Sequence, residues 1–571
     1  MEIFMNLIPK EDKIYISFPY DPEVIQKIKE IPGRIWDPVN KVWIIPVQNY
    51  PYFSTIFGEN DKCKIYYEEY IRKESSELNN KILELESKLE SFKLLSQPFK
   101  YQIEGSAFLL KNKQVVLNFD LGTGKTICAL VASLALVKED GKSKILVITP
   151  SSLKQSWINE MEKFFGKEFL SLVSVVKGER KDREKIYFEF LHRDYKNYLI
   201  MNYELVRNSM DFEFLKDVDW KCVVLDEVSR IKNFRTQTFK YMSFLRAQYR
   251  WGLTGYVLEN SLKDLYSIFK FIKPGLFGNY GGFKEKYFIE THISTPTGKH
   301  WTEIEGYKNI NELKDAIKDN LIRKKRSEVL VDLPEMTTQN YYVGMSAEQS
   351  AMYSKIENEV LDELNREVNP LAKLTFLREV CDSPEMLDGI VRESGKVNEL
   401  LEILRELRSN GENVLIFSQF VKFIRIVERE LIKNGFTNLI TITGEDSEAT
   451  KWTKINAFIQ GKNIICICSD TMAYGVNLQE NCSIVINLDL PWNPAKLENR
   501  IGRVYRQGQK KKVFVINLMS EGTVEERVYD VLVGKKDLIK DIIGSDEVKE
   551  EHFYNREFLK KLIEHGEPNE A

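Results

Sequence analysis

Short, uniformly apolar runs alternate with amphipathic stretches along most of this chain. KILVIT, YLIMN and CVVLDE fall in one half, and NVLIFS, IICICS, SIVINLDL and VFVINL in the other. Such runs are too short for buried helices and lack the polar alternation of a strand with one wet face. Fully apolar strands separated by helices predict parallel sheets covered on both faces. The pattern occurs twice, so we expect one α/β lobe over residues 96–330 and a second over 395–540, joined by a helical linker or protrusion over 331–394. A C-terminal helix and tail are expected over 541–571.

The first sixty residues follow a different pattern. KIYISF puts Ile14, Ile16 and Phe18 on one face, as in a half-buried strand. DPEVIQKIKEI offers Asp21 as N-cap and Pro22 at the first helical position, and lines up Val24, Ile28 and Ile31 on one stripe. RIWDPVNKVWII has two apolar runs about Asp37-Pro38-Val39-Asn40, which predicts a hairpin. A small α+β module over 1–60 is expected. Over 61–95, Ile71, Leu78, Ile82, Leu85, Leu89 and Phe92 form one helical seam. It is too short for a coiled coil, so the segment reads as a connecting helix packed on its own chain.

Composition narrows the class. At 571 residues the chain exceeds one hydrophobic core. With 82 basic against 85 acidic residues the net charge is −3, so nucleic-acid contacts have to come from local patches. The seven cysteines contain no C-x-x-C pair, and Cys466 and Cys468 alternate inside NIICIC, where strand thiols are expected rather than a metal site. A reducing cytoplasm fits this usage. No apolar run reaches the length of a membrane span, and MEIFMNLIPKEDK lacks the apolar core of a signal peptide.

The chemistry begins at LNFDLGTGKTICAL. A strand, a glycine turn and an alanine-rich helix put Gly122, Thr123, Gly124, Lys125 and Thr126 where backbone N–H groups could cradle phosphates, although the outer glycine of G-x-x-x-x-G-K-[ST] is Phe119 here. Lys125 would reach the terminal phosphates and Thr126 would hold Mg²⁺. By itself the loop could equally be a tight turn. About one hundred residues on, CVVLDE ends a strand in Asp226-Glu227, one carboxylate for the Mg²⁺ shell and one to orient water. In NRIGRVYRQGQKKK, Arg500, Arg503 and Arg506 recur every third residue, so on a helix they would share a side. Arg503 and Arg506 are the candidate arginine fingers.

These pieces, in order with FKYQIEGSAFL, ITPSSLKQSWINEMEKF, NYELVRN, LTGYVLENSLKDLYSIFKFIKPGLFG, VLIFSQF, CSDTMAYGVNLQ and LDLPWNPAKLENRIGRVYRQGQ, resemble the motifs of Snf-type, chromatin-remodeller-like ATPases of helicase superfamily two. The resemblance covers about residues 96–540. It implies two RecA-like lobes, ATP and Mg²⁺ between them, and a track for double-stranded DNA across their faces. It assigns Gln102 to adenine, Gly122 to Thr126 to the phosphates, Thr126 and Asp226 to Mg²⁺, Glu227 to the water, and Arg503 and Arg506 to completion of the site. Ser151, Ser152, Asn202, Tyr203, Ser418, Gln419 and Asn477 fall in motifs lying near the DNA backbone or coupling it to the ATP site. The chain departs from the family pattern at Ser229, Tyr256, Val257 and Asn499, which puts coupling in question rather than chemistry. LIRKKRSEVLVDLP, with Arg323 to Arg326, matches the family's basic segment leaving the first lobe, or is a solvated linker.

The N-terminal FPYDPEVIQKIKEIPGRIWDPVNKVWIIPVQNY is similar to the HARP module of annealing helicases. Its hairpin carries Arg34, Trp36, Lys41 and Trp43, cations and stacking faces suited to unpaired bases or forks, while at least one tryptophan is expected in the module's core. The resulting expectation is a monomeric, ATP-driven motor on duplex or forked DNA in a bacterial or phage-infected cytoplasm. It would remodel or reanneal forks in a replication, repair or transcription setting. A motor that recycles a complex such as stalled RNA polymerase is the second reading. The third is an adaptor that recognises DNA structure and has lost hydrolysis, which the intact Lys125, Asp226, Glu227, Arg503 and Arg506 argue against.

Overall fold

The computed structural model describes residues 5–530, apart from 11, 32–33, 93, 259–260, 295–299, 330–332, 366–370, 409–410 and 474–475, together with 532 and 548–549. The expected helix and tail over 541–571 lie outside the described residues, except for Val548–Lys549, which pair as a short strand with Gly306–Tyr307.

The N-terminal module is a four-stranded antiparallel sheet of order β1-β2-β4-β3, with β1 Asn6–Lys10, β2 Lys13–Ser17, β3 Ile35–Asp37 and β4 Val42–Pro46. Helix α1, Pro22–Glu30, starts where the sequence predicts: the Asp21 carboxylate accepts from the N–H groups of Glu23 and Val24, and Pro22 occupies the first turn. Ile14, Ile16, Val24, Ile28 and Ile31 are buried together. Helix α2, Tyr50–Phe57, closes the module. Helix α3, Asp61–Ser91, then leads out of it. Its start puts Cys63 into the module's core, and its end puts Leu85 and Leu89 into the core of the next domain.

In the first lobe, seven parallel strands are ordered β13-β5-β10-β9-β6-β8-β7. They are β5 Gln114–Phe119, β6 Ile145–Thr149, β7 Val173–Val175, β8 Tyr198–Asn202, β9 Trp220–Asp226, β10 Ala247–Thr254 and β13 Leu321–Lys324. A hairpin, β11 Phe288–Ser294 and β12 His300–Tyr307, is inserted before β13. Along β5, Val115 and Leu117 enter one hydrophobic cluster and Val116 the other. Both faces are therefore covered, one by α4 Lys100–Asn112 and α5 Lys125–Glu139 and the other by the helix Leu262–Ile272 among others, which is why the strands carry little polar alternation.

The second lobe repeats the plan with six parallel strands, ordered β14-β19-β18-β15-β17-β16. They are β14 Met336–Val343, β15 Asn413–Phe417, β16 Leu439–Ile442, β17 Ile465–Cys468, β18 Cys482–Asn487 and β19 Val513–Ser520. β14 corrects the expected boundary. It comes from the segment read as a helical linker, yet it runs beside β19 over its whole length. MTTQNYYV escapes the apolar-run criterion because an edge strand needs no apolar residues on its exposed side. The helices Ala347–Asn365 and Leu371–Asp382 then supply the expected helical join.

Candidate active site

The strand-to-helix turn after β5 is held by the chain's own hydrogen bonds. Gly122 and Gly124 have φ of 79° and 83°, the left-handed region that favours glycine. A Cβ on Gly124 would stand 2.2 Å from Gln102 Nε2, and one on Gly122 would stand 2.5 Å from Arg506 Cβ. Tyr101 Oη and Gln102 Nε2 donate to Thr123 O at 2.9 and 3.1 Å, and Thr123 Oγ1 donates to Asp120 O at 2.7 Å. Lys125 Nζ donates to Phe119 O at 2.8 Å and Asp120 O at 3.3 Å. Burial pulls the Lys125 amine below the usual lysine range, and the charges of Glu227, Asp226 and Asp120 oppose that shift.

The acid pair sits at the tip of β9. Asp226 Oδ2 accepts from Thr149 Oγ1 at 3.0 Å and Trp157 Nε1 at 2.8 Å, and Oδ1 accepts from Glu227 N at 3.1 Å. Burial pushes the Asp226 carboxyl up, while the Trp157 and Thr149 bonds and the Lys125 charge pull it down. Glu227 has φ of 53°, a left-handed non-glycine residue held at a cost of about 1–3 kcal/mol. Thr149 and Trp157 escaped the sequence reading. Both lie within ITPSSLKQSW, and no spacing rule announces an indole N–H turned to a carboxylate.

From the second lobe come three arginines that do not share a helical side, contrary to the sequence expectation. The helix Pro494–Ile501 ends before Arg503, at Gly502. Arg500 is fully buried and pairs with Asp470 Oδ1 at 2.7 Å and Asp489 Oδ1 at 3.3 Å, a structural anchor. Arg503 donates to Asn499 O at 3.0 Å and Val476 O at 3.2 Å. Arg506 Nη1 donates to Asn477 Oδ1, and its Nε is buried with no hydrogen-bond acceptor.

Arg326 ties the two lobes together. Its N–H donates to Asp120 Oδ2 at 2.8 Å, and its Nε and Nη2 donate to Leu121 O at 3.1 and 2.9 Å. Its guanidinium also lies 5.1 Å from the ring centre of Tyr505 in the second lobe. The basic segment is thus partly structural: Arg323 and Lys324 are in β13, and Lys324 pairs with Glu104 at 3.1 Å.

Ten of the sequence-predicted residues line one interlobe cleft of about 340 Å³. Gln102, Gly122, Gly124, Lys125, Thr126, Asp226 and Glu227 come from the first lobe, and Asn477, Arg503 and Arg506 from the second. Loop amides, a lysine and an arginine donor without an acceptor suit a polyanion. Thr126 and Asp226 offer hard oxygens to Mg²⁺, which takes one or two protein ligands beside phosphates and water.

The other singled-out residues divide. Gln102 lines the cleft, but its amide is already bonded to Thr123 O and, through Oε1, to Phe99 N at 3.0 Å. Ser151 and Ser152 open a short helical turn after β6 and are partly buried. Asn202 ends β8, with Nδ2 on Glu204 at 2.7 Å. Three more residues, expected near the DNA backbone or in its coupling to the ATP site, take inward or cleft-lining positions. Tyr203 is buried with its hydroxyl on Asp226 O at 2.8 Å, Ser418 is fully buried with Oγ on Asp489, and Asn477 lines the cleft. A buried hydroxyl cannot meet a phosphate, so Tyr203 and Ser418 brace the acid turn and the Asp489 corner. Gln419 is partly exposed and its N–H donates to Asp489 Oδ2 at 3.0 Å. In the N-terminal module Trp36 and Trp43 face each other across β3 and β4 with ring centres 5.2 Å apart; Trp43 packs on the core and Trp36 is exposed.

The departures from the family pattern cluster. Ser229, Tyr256 and Asn499 line a second interlobe cavity of about 270 Å³ that also touches Glu227. Thr254 Oγ1 donates to Tyr256 O at 2.8 Å, and Val257 is buried.

Two parallel-sheet lobes, one bearing a G-K-T loop with an acid pair and the other a pair of arginines turned to the same cleft, define a class of P-loop protein. The chain belongs to the SNF2-related family. The SNF2-related domain matches residues 101–386, and a helicase conserved C-terminal domain matches residues 395–508. Among curated relatives, the putative ATP-dependent helicase/translocase YwqA of Bacillus subtilis is 30% identical over 475 residues, covering 80% of this chain and 50% of the relative. The human DNA excision repair protein ERCC-6-like is 28% identical, covering 82% of this chain and 43% of its own. This chain therefore spans about half the length of these relatives. A solved structure, the Sulfolobus solfataricus SWI2/SNF2 ATPase core in complex with dsDNA, is 30% identical, covers 79% of this chain and 93% of that one, and gives a TM-score of 0.38. Among the described residues no helix is long and apolar enough to cross a membrane.

Proposed function

We propose that this chain hydrolyses ATP to ADP and phosphate and uses the cycle to move along double-stranded DNA. The observation that carries the proposal is the convergence of Lys125, the Asp226–Glu227 pair and the Arg503–Arg506 pair on one cleft between two lobes. In this reading Gly122 to Thr126 bind the phosphates. Thr126 and Asp226 hold Mg²⁺, which neutralises charge developing on the transferred group. Glu227 orients the attacking water, and Arg503 and Arg506 stabilise the transition state from the second lobe. Gln102 recognises adenine by exchanging one of its internal bonds. Closing and opening the lobes alternates the grip on DNA phosphates, through Ser151, Ser152, Asn202 and Gln419, and base sequence matters little.

The N-terminal module, with Trp36 exposed beside Arg34 and Lys41, adds stacking to unpaired bases at forks, so the output is fork remodelling or reannealing. The test is ATP hydrolysis with no nucleic acid, single-stranded DNA, duplex DNA, forked DNA and RNA. Duplex stimulation, greater with forks and abolished in Glu227→Gln, is the expected result. No stimulation by any DNA refutes the motor reading, and stimulation that persists in Glu227→Gln removes that residue from its role.

A further inference from the structure

Away from the nucleotide cleft, a cavity of about 190 Å³ opens in the first lobe, between the end of β10, the helices Leu262–Ile272 and Ile310–Ile317, and β13. Its wall is almost wholly apolar and includes Val257, Leu258, Leu262, Leu265, Leu313 and Leu321. Lys314, Lys318 and Arg323 also border it, and in so apolar a wall they contribute their aliphatic stems. Lys318 has its ammonium 4.0 Å from Asp315.

Tyr256 and Asn118 also border this surface, and the Asn118 amide is the group that stands out. Asn118, on β5, borders the cavity and is 7% exposed, and its Oδ1 is buried with no hydrogen-bond partner. Buried amide oxygens are nearly always bonded, so an orphan acceptor beside unfilled apolar space is unusual. Water is a poor occupant of so apolar a space, because it needs two to four polar partners. A cavity of roughly 150 Å³ lined by aliphatic side chains takes up benzene, so this one has room for a single ring.

We propose that the cavity binds a small neutral molecule with an apolar, ring-sized body and one hydrogen-bond donor, the donor meeting Asn118 Oδ1. Neutrality follows from the wall's almost wholly apolar surface, where a charged group would be desolvated. The position is consequential. Asn118 precedes Phe119, whose carbonyl accepts from Lys125 Nζ at 2.8 Å, and Gly255 borders the cavity while standing against Leu121. An occupant touches the strand and the turn that hold the phosphate loop. Its effect on ATP turnover rests on the proposed motor function, but binding itself does not.

The test uses the full chain with phenol as probe and toluene as its donor-free isostere, read by ligand-observed NMR titration with thermal unfolding as a check on fold. Saturable one-site binding of phenol is expected, lost in Leu313→Trp, which fills the cavity. In Asn118→Leu the ratio of phenol to toluene affinity should fall at least tenfold, a comparison in which the transfer of each ligand from water cancels. No saturable phenol binding, or binding that survives Leu313→Trp, overturns the site. An unchanged ratio in a folded Asn118→Leu overturns the donor assignment, and should that variant not fold, Leu313→Trp decides the site by itself. These readouts contain no nucleotide, so failure of the cavity proposal and failure of the ATPase reading are separate results.

Discussion

Replacing Gly122 with alanine tests whether the phosphate loop and the second lobe touch in the working molecule. Two costs arise, and they can be separated. The first is local: φ of 79° is strained for alanine, by roughly 1–2 kcal/mol. The second is interlobe: the new methyl would stand 2.5 Å from Arg506 Cβ and 3.2 Å from its Cα. Since those atoms belong to the backbone and its first carbon, no side-chain swing relieves the clash. The Arg506 segment has to retreat by about 1 Å to restore ordinary contact. A misplacement of that size costs on the order of 100-fold in rate where transition-state charge is stabilised by positioned groups. The assay pairs DNA-stimulated ATP turnover with thermal unfolding, and Gly58→Ala is the control. Gly58 has φ of 89° and open space where a Cβ would go, so it bears the local cost alone. Gly122→Ala should lose about 100-fold in turnover with a melting shift of only a few degrees. Gly58→Ala should keep full turnover. A Gly122→Ala protein that hydrolyses ATP at the unmodified rate would refute the interlobe contact.

Three further outcomes follow from the packing. Arg326→Ala removes two hydrogen bonds to Leu121 O and the stack on Tyr505, so kcat/KM for ATP should fall about 10-fold or more with little change in melting, by steady-state kinetics. Lys396 is buried between Asp382 at 2.8 Å and Glu525 at 2.7 Å. Lys396→Met strands two carboxylates and should cost about 3–5 kcal/mol in denaturant unfolding. Burial pulls the Lys396 pKa down but the two carboxylates outweigh it and hold it above the ordinary lysine value. A raised lysine pKa gives stability that is fully present below about pH 10.4 and lost as pH rises through the folded value. Trp43→Ala, at a half-buried ring, should destabilise the N-terminal module by about 2 kcal/mol, whereas Trp36→Ala should leave its stability nearly unchanged and weaken binding to forked DNA, by calorimetry and fluorescence anisotropy.

Eight of the parallel strands, β5, β6, β8, β9, β15, β17, β18 and β19, were legible in the sequence because burial on both faces gives them an apolar run, whereas β7, β10, β13 and β16 were not read. The glycine turn proposed to bind phosphates and the acid pair were legible as local features because both follow such strands directly. β14 was not, since an edge strand such as MTTQNYYV carries little of that signal. Arg503 and Arg506 were picked out by three-residue spacing on an assumed helix. They reach the cleft, but from turns beyond Ile501, so the residues were found through a geometry the chain does not adopt. The same limit explains Tyr203 and Ser418: a motif position tells which loop a hydroxyl is on, not whether it faces solvent or a buried carboxylate. Trp157 and Thr149 belong to one segment, about seventy residues before Asp226, and meet its carboxylate only in the folded lobe, where no local pattern could register them.

The central claim, that both lobes build one hydrolytic site, is tested most directly by measuring ATP affinity and duplex-stimulated turnover together in Lys125→Ala and Arg506→Ala. The account predicts that Lys125→Ala loses ATP binding, while Arg506→Ala still binds ATP and loses on the order of 10³ in turnover, as expected for an arginine that acts on transition-state charge. Turnover undiminished in Arg506→Ala would contradict it.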